Sequence, residues 1–342
     1  MDAARNIPET PKVTKETKNK IRVEFERTPL KERLKAKFLS AYFLQNVVWY
    51  AFRFVLLLGI SFVILFPFFS KIMGSLMSPE DIVDATVQYL PKNPNFDQYV
   101  AIFTENGYMK AFVNTLLLSV SGAIIQTFIS CLVGYGLAKF KFRGNNLVFM
   151  AVLLTMIIPH GTLQFSIFMG FRNFDLFGIF ELILGKPLNL LNSYWPLVIL
   201  SACGLAFKNG LYIFMMRQFF RGVPDELEES AYVDGSGVFR TFIQIIIPLS
   251  VPMMITVFLF AFSWQWTDNF YTKLFFTTAQ AEIMPNLARI PKSLATDYVG
   301  QSSYYSAIYG TCGLMIIAPL IVMYLFCQRY LIQGIERSGI VG

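Results

Sequence analysis

Long stretches without a charged side chain constrain this chain more than anything else in it. Arg53 and Lys71 bound 17 such residues, and Lys110 and Lys139 bound 28. Arg143 to Arg172 encloses 28, Lys186 to Lys208 encloses 21, Arg240 to Asp268 encloses 27, and Asp297 to Arg329 encloses 31. About 20 apolar residues in a helix cross some 30 Å of hydrocarbon. Six runs therefore predict six spanning helices, near 49–73, 111–135, 147–171, 194–216, 247–267 and 304–327. Trp49 and Tyr50 lengthen the shortest run by anchoring it at the interface. Only 15% of the 342 residues are charged, too few for the shell of a soluble domain. The alternating ten-residue segments of an outer-membrane barrel are absent. Backbone groups in lipid must be satisfied internally, so the expected fold is all-α and polytopic.

Charge placement sets the topology. The net charge is +7. Nineteen Lys and Arg fall before residue 49, between spans two and three, between four and five, and in the tail, against seven in the opposite loops. The positive-inside rule places both termini in the cytoplasm, and the basic excess reads as a topology signal rather than a nucleic-acid footprint. No cleavable signal peptide is expected, because 48 mostly polar residues precede the first span. The domain reading is a cytoplasmic tail over 1–48, a membrane domain over 49–327, and a cytoplasmic tail over 328–342. Within the first tail, residues 1–27 read as a mobile polar segment. Thr28 and Pro29 then begin an amphipathic surface helix bearing Leu30, Leu34, Phe38 and Tyr42, with Lys31, Lys35 and Lys37 between them.

Three residues inside the spans stand out. Pro159 removes a backbone donor near the middle of span three, and His160 follows it. Lys208 is a cation deep in span four, too far from Arg217 to snorkel easily. A kinked, pathway-lining segment is the functional reading for Pro159, His160 and Lys208; a kink packed against neighbours and a shifted helix are the alternatives. Tyr194, Trp195, Trp264 and Trp266 read as interfacial anchors. Cys131, Cys203, Cys312 and Cys327 read as buried thiols; neither a metal nor a disulfide is implied. No catalytic cluster and no cofactor motif occurs: there is one His, and Gly185-Lys186 leads into Pro187 rather than completing a GxxxxGK[ST] phosphate cradle. Nor does any span carry a carboxylate near its middle, which an ion-coupled secondary transporter would need.

The segment 217–246 carries most of the functional information. Pro224 opens a helix with Asp225 and Glu226 in its first turn. Leu227, Ala231 and Tyr232 fall on one face, with Glu228 and Glu229 beside them. Gly235 ends the helix, and Ser236 can cap a second one bearing Phe239, Phe242, Ile243 and Ile246. Pro248 and Pro252 mark the return to the membrane.

Glu229-Ser230-Ala231, then Asp234-Gly235-Ser236, Phe242 and Ile247-Pro248-Leu249 resemble the EAA loop of bacterial ABC importer permeases, in particular the maltose and multiple-sugar branch. The likeness extends through Gly134-Tyr135-Gly136-Leu137-Ala138, Arg217-Gln218-Phe219-Phe220, Trp266 with Asp268-Asn269-Phe270, and Gln328-Arg329-Tyr330, over roughly residues 50–342. Ser230 departs from the middle Ala of the motif, and Lys208 stands where a neutral residue is usual. The resemblance implies a bacterial plasma-membrane permease subunit forming half of a pathway, without an ATP site of its own. Its implied partners are a second permease subunit, expected as a heterodimer, two cytoplasmic ATPase subunits, and an extracytoplasmic binding protein met by loops 74–110 and 268–303. Membrane lipid surrounds it, and its small-molecule cargo would be a sugar, best matched by an oligosaccharide. Glu229, Ser230, Ala231 and Gly235 would form the coupling helix, with Asp234 fixing its turn and Pro248 its exit.

Overall fold

The computed structural model describes residues 12–16, 22–26, 41–277, 282–295, 297 and 300–337. The amphipathic surface helix expected from Thr28 lies outside them up to residue 40, and Tyr42, its last apolar position, falls within the first long helix. Two compact units divide the chain at Ser70 and Lys71.

In the first unit, β1 (Lys12–Glu16) pairs antiparallel with β2 (Arg22–Glu26), with Lys12 opposite Glu26 and Val13 opposite Phe25. This short strand pair precedes a membrane domain that is helical as expected. Alternation of Val23 and Phe25 with charged residues supplies the period of two that a strand needs. Helix α1 (Ala41–Ser75) then runs for 35 residues, and none of its most apolar window is buried.

Short helices follow: α2 (Pro79–Val83), capped by the Ser78 hydroxyl on the Asp81 N–H, and α3 (Asp97–Glu105). Helix α4 (Tyr108–Lys139) is 32 residues long, about 48 Å at 1.5 Å per residue, more than a bilayer core needs. The third predicted span is instead two helices, α5 (Asn145–Ile157) and α6 (His160–Arg172), bent by 103°. Pro159 precedes α6 in extended conformation and has no N–H to continue α5. Beyond α7 (Ile179–Leu184), the fourth predicted span also departs from expectation. It is α8 (Trp195–Ala202) and α9 (Asn209–Arg221), neither long enough to cross alone. Gly204, at φ +71°, ends α8 with N–H bonds from Leu205 to Leu200 O and from Gly204 to Ser201 O, a Schellman pattern.

Helix α10 (Glu226–Val233) and α11 (Val238–Thr241) form the next connection. A π turn at Phe242–Ile246 leads into α12 (Ile247–Trp266). The turn sits immediately before Pro248, whose ring and missing N–H disfavour a regular ladder there. Helix α13 (Phe270–Phe275) is fastened by Asp268, which accepts from the Tyr271 and Thr272 N–H groups, and α14 (Gln301–Arg337) closes the chain. Among the described residues four helices are long and apolar enough to cross a membrane, or five if α5 and α6 together make one span.

The core lies where α4, α9 and α12 meet, with Tyr135, Tyr212, Met216, Phe220, Met253 and Val257 buried between them. Glycine permits the closest approaches. A Cβ on Gly134 would lie 2.7 Å from Met216 Cβ, and one on Gly210 would lie 2.5 Å from Thr155 Oγ1. Trp266 is fully buried and donates from Nε1 to the Ile316 carbonyl, so it is a core residue and not an interfacial anchor. Cys131 and Cys312 are buried as expected, whereas Cys203 is exposed beside the break after α8.

Candidate functional site

Two regions hold the residues singled out by sequence. The first is the connection from α9 to α12. Its glycine stop forms as the sequence predicts: Gly235 adopts φ +80°, Ser236 N–H bonds to Ala231 O, and Gly235 N–H bonds to Tyr232 O. Asp234 is the C-cap residue, exposed, with its N–H on Ser230 O. The Ser230 hydroxyl donates back to Glu226 O at 2.7 Å.

The faces of α10 are distributed differently from the expectation. Ala231 turns inward, but Leu227 and Tyr232 stay exposed while Glu228 is buried. Burial of Glu228 is compensated at the root of the loop. Tyr135 Oη on α4 donates to Glu228 Oε1 at 2.5 Å, and Lys139 Nζ lies 3.6 Å from Glu228 Oε2. Lys139, itself 7% exposed, also donates to the Val223 carbonyl at 2.7 Å and contacts Asp225 at 2.5 Å. The ammonium holds the exposed Asp225 carboxyl below its ordinary range. Tyr135, Lys139 and Glu228 were not singled out as a set, because their proximity joins positions about ninety apart in sequence.

Beyond this root the connection is exposed, with apolar side chains set among Glu226, Glu229, Asp234 and Arg240. Val233 is 87% and Phe239 74% accessible, with Leu227, Val238 and Ile243 also open. Phe242 and Ile246 enter the core instead, so the expected stripe of α11 divides between two environments. Ser236 is not the cap of α11; Gly237 is, and Ser236 Oγ accepts from Thr241 Oγ1. Glu229 is exposed on α10, and Pro248 is exposed where α12 begins.

The second region is formed by the two broken helices. The elbow between α5 and α6 and the gap between α8 and α9 line one cavity of about 650 Å³. Pro159, His160 and Lys208 all border it, so the structure brings together three residues that sequence placed on two different spans. His160 Nδ1 shares a 2.6 Å hydrogen bond with Tyr271 Oη, and its ring lies 4.8 Å from that of Phe207. Lys208 adopts φ +66° at the N-terminus of α9, with its ammonium 5.0 Å from the Phe207 ring centroid and 5.3 Å from that of Trp264. Asn209, 1% exposed, also borders the cavity; its Nδ2 donates to Ser130 Oγ and its Oδ1 has no hydrogen-bond partner. Phe207, Asn209 and Tyr271 carried no sequence signal, since the break after Gly204 places the first two and α13 brings Tyr271 to His160 from a distant segment. Among the described residues no group of three or more His, Cys, Asp or Glu side chains could hold a metal ion.

Known proteins give this geometry a context. An arabinooligosaccharide transport system permease from Bacillus subtilis, AraQ, is 28% identical over 292 residues, covering 83% of this chain and 92% of the relative. A maltodextrin transport system permease from Streptococcus pneumoniae, MalD, is 29% identical over 286 residues, with 83% and 92% covered. A crystal structure of a bacterial ABC transporter that imports the acidic polysaccharide alginate shares the fold, with a TM-score of 0.62 at 21% identity over 84% of this chain and 97% of that one. Residues 126–337, which hold both the exposed loop and the broken-helix cavity, match the model of a single family. The chain belongs to the family of binding-protein-dependent transport system inner membrane components.

Proposed function

We propose that this chain is one permease subunit of an ATP-driven carbohydrate importer, with oligosaccharides as the cargo class. The observation that carries the reading is the α10–α11 connection: an exposed apolar tip on a root of buried, charged hydrogen bonds. A lever needs a stiff attachment to the helices it moves and a free surface for the partner that moves it. The Lys139–Glu228–Tyr135 contacts supply the first, and Leu227, Val233 and Phe239 supply the second. In this reading the loop lies in the cytoplasm with both termini, and ATPase subunits hold α10 in a cleft. ATP binding would then move α4 and α12 together and switch the pathway between its two openings.

The cargo class is supported by relatives named for arabinooligosaccharide and maltodextrin transport, which align over most of their length. Six crossings remain the proposed topology, with α1, α4, the α5–α6 pair, the α8–α9 pair, α12 and α14 as the spans. A second permease subunit would complete the pathway, and a binding protein would deliver cargo to the opposite face. An ion-coupled carrier would need a carboxylate in the membrane interior, and the residues lining the cavity include no Asp or Glu.

The test is copurification. Glu229→Lys reverses a charge on the exposed face of α10, and is expected to reduce recovery of the ATPases with the membrane subunits while this chain still inserts. Unchanged ATPase recovery would count against α10 as the docking element.

A further inference from the structure

We propose that the cavity between the two broken helices is a subsite for an anionic saccharide, with the Lys208 ammonium as the anchor for its carboxylate. The inference rests on the importer reading above and specifies the charge of its cargo.

Lys208 is the one lysine that lines this cavity, and its side chain is accessible there. Lys92, Lys110 and Lys139 each contact a carboxylate. Lys208 meets only aromatic faces, those of Phe207 and Trp264, and no ion pair joins it to a described residue. Helix α9 separates it from Arg221 by 13 residues, about 20 Å of rise, which is beyond the reach of a lysine stem toward a headgroup. An uncompensated ammonium at such depth is costly, and residues of this kind face protein or a watery cavity. Here the cavity's lining residues include no acid. Asp268, in the adjoining pocket beside Phe207, Trp264 and Tyr271, is already engaged by the Tyr271 and Thr272 N–H groups and the Thr272 hydroxyl.

The surroundings suit a sugar acid. About 650 Å³ falls within the range of small-molecule sites. Phe207 and the half-exposed Trp264 flank the ammonium with ring faces on which a pyranose can stack. Across the cavity the hydrogen bond to Tyr271 orients His160 and leaves Nε2 as its second hydrogen-bonding nitrogen. Asn209 also borders the space, but its Oδ1 is itself buried, so the accessible ionisable groups are Lys208 and His160. A neutral sugar could use the hydroxyl-binding groups but would leave the cation without a counter-charge; a uronate would satisfy both.

The complete importer, with its ATPases and cognate binding protein in proteoliposomes, is to be offered trisaccharides of galacturonate, mannuronate, guluronate and glucuronate, each beside its carboxyl-reduced form. ATP-dependent uptake of at least one uronate should exceed that of its reduced counterpart. Lys208→Met should lower uronate uptake roughly tenfold or more, the loss of one charge-assisted hydrogen bond, and Lys208→Arg should restore most of it. Equal uptake of charged and reduced sugars, absence of uronate uptake, or an intact uronate preference in Lys208→Met would overturn the subsite while leaving a neutral-sugar importer standing. Failure of the Lys208→Met complex to assemble would overturn it too, by assigning Lys208 to a contact with the second permease subunit. No ATP-dependent uptake of any saccharide would remove the importer reading itself.

Discussion

The α10–α11 connection and the broken-helix cavity both interrupt the membrane helices, yet they spend their polar groups in opposite ways. At the root of α10 every buried charge has a partner: Glu228 accepts from Tyr135, and Lys139 reaches Glu228, Asp225 and a carbonyl. At the cavity a cation meets only aromatic rings, and a buried amide oxygen has nothing to accept from. Satisfied buried networks stiffen a structure, whereas unsatisfied groups beside a cavity are poised for a ligand. On the proposed reading one region would transmit force and the other would receive cargo.

The contrast can be broken or sharpened by substitution. The largest effect is expected from Lys139→Ala, which leaves the buried Glu228 carboxylate without its cation. Removing one partner of a buried pair costs about 3 kcal/mol or more, so thermal unfolding of the purified subunit should shift clearly downward. A shift no larger than that of an exposed substitution such as Glu229→Ala would mean the root is not stiff.

Next come the glycine crossings. Gly134→Ala and Gly210→Ala should each cost roughly 1–3 kcal/mol, because the new methyl meets backbone or tightly held atoms. Gly161→Ala, with nothing within 4 Å of its Cβ at the elbow, serves as the neutral control. Equal loss in all three would show that the elbow is packed rather than open.

Gly235→Val is expected to be milder for folding and sharper for function. Nothing lies near the new side chain, but a left-handed conformation costs a non-glycine residue roughly 1–2 kcal/mol. The ratio of sugar transported to ATP hydrolysed should fall, and Gly235→Asn, which tolerates that conformation, should recover much of it.

The smallest effect is one of pH. Asp225 is held below its ordinary value of 3.8 by Lys139. Its contribution is therefore present above that value and fades as pH falls below it. Copurified ATPase should be retained at neutral pH and weaken only near the acid limit, and Asp225→Asn should flatten that acid dependence.

Much of the candidate loop was legible in sequence, and much of the cavity was not. Gly235 announced its own turn because a positive φ is a local requirement. Pro159 announced its elbow because a missing N–H is a local lack. Gly204 carried the same kind of signal, but a continuous apolar run around it reads as one span, and nothing nearby says that two short helices replace it. The burial of Trp266 shows the same limit: an aromatic residue at the end of a run suits an interface until its neighbours are known. The pairing of 12–16 with 22–26 was hidden by polar composition, since the alternation in each strand is short.

What the sequence determined alone was whatever one residue's backbone chemistry or a run's apolarity dictates: a membrane-embedded, chiefly helical chain, the stop at Gly235, the bend at Pro159, and the family that the 217–248 motif marks. Only the tertiary structure decided which charges are satisfied. Tyr135 meets Glu228, and His160 meets Tyr271 on the rim it shares with Lys208, because α4, α9 and α12 pack through glycine contacts and carry distant segments together. Hydrogen bonds and Coulomb forces act over a few ångströms of space, and separation along the chain does not encode that distance.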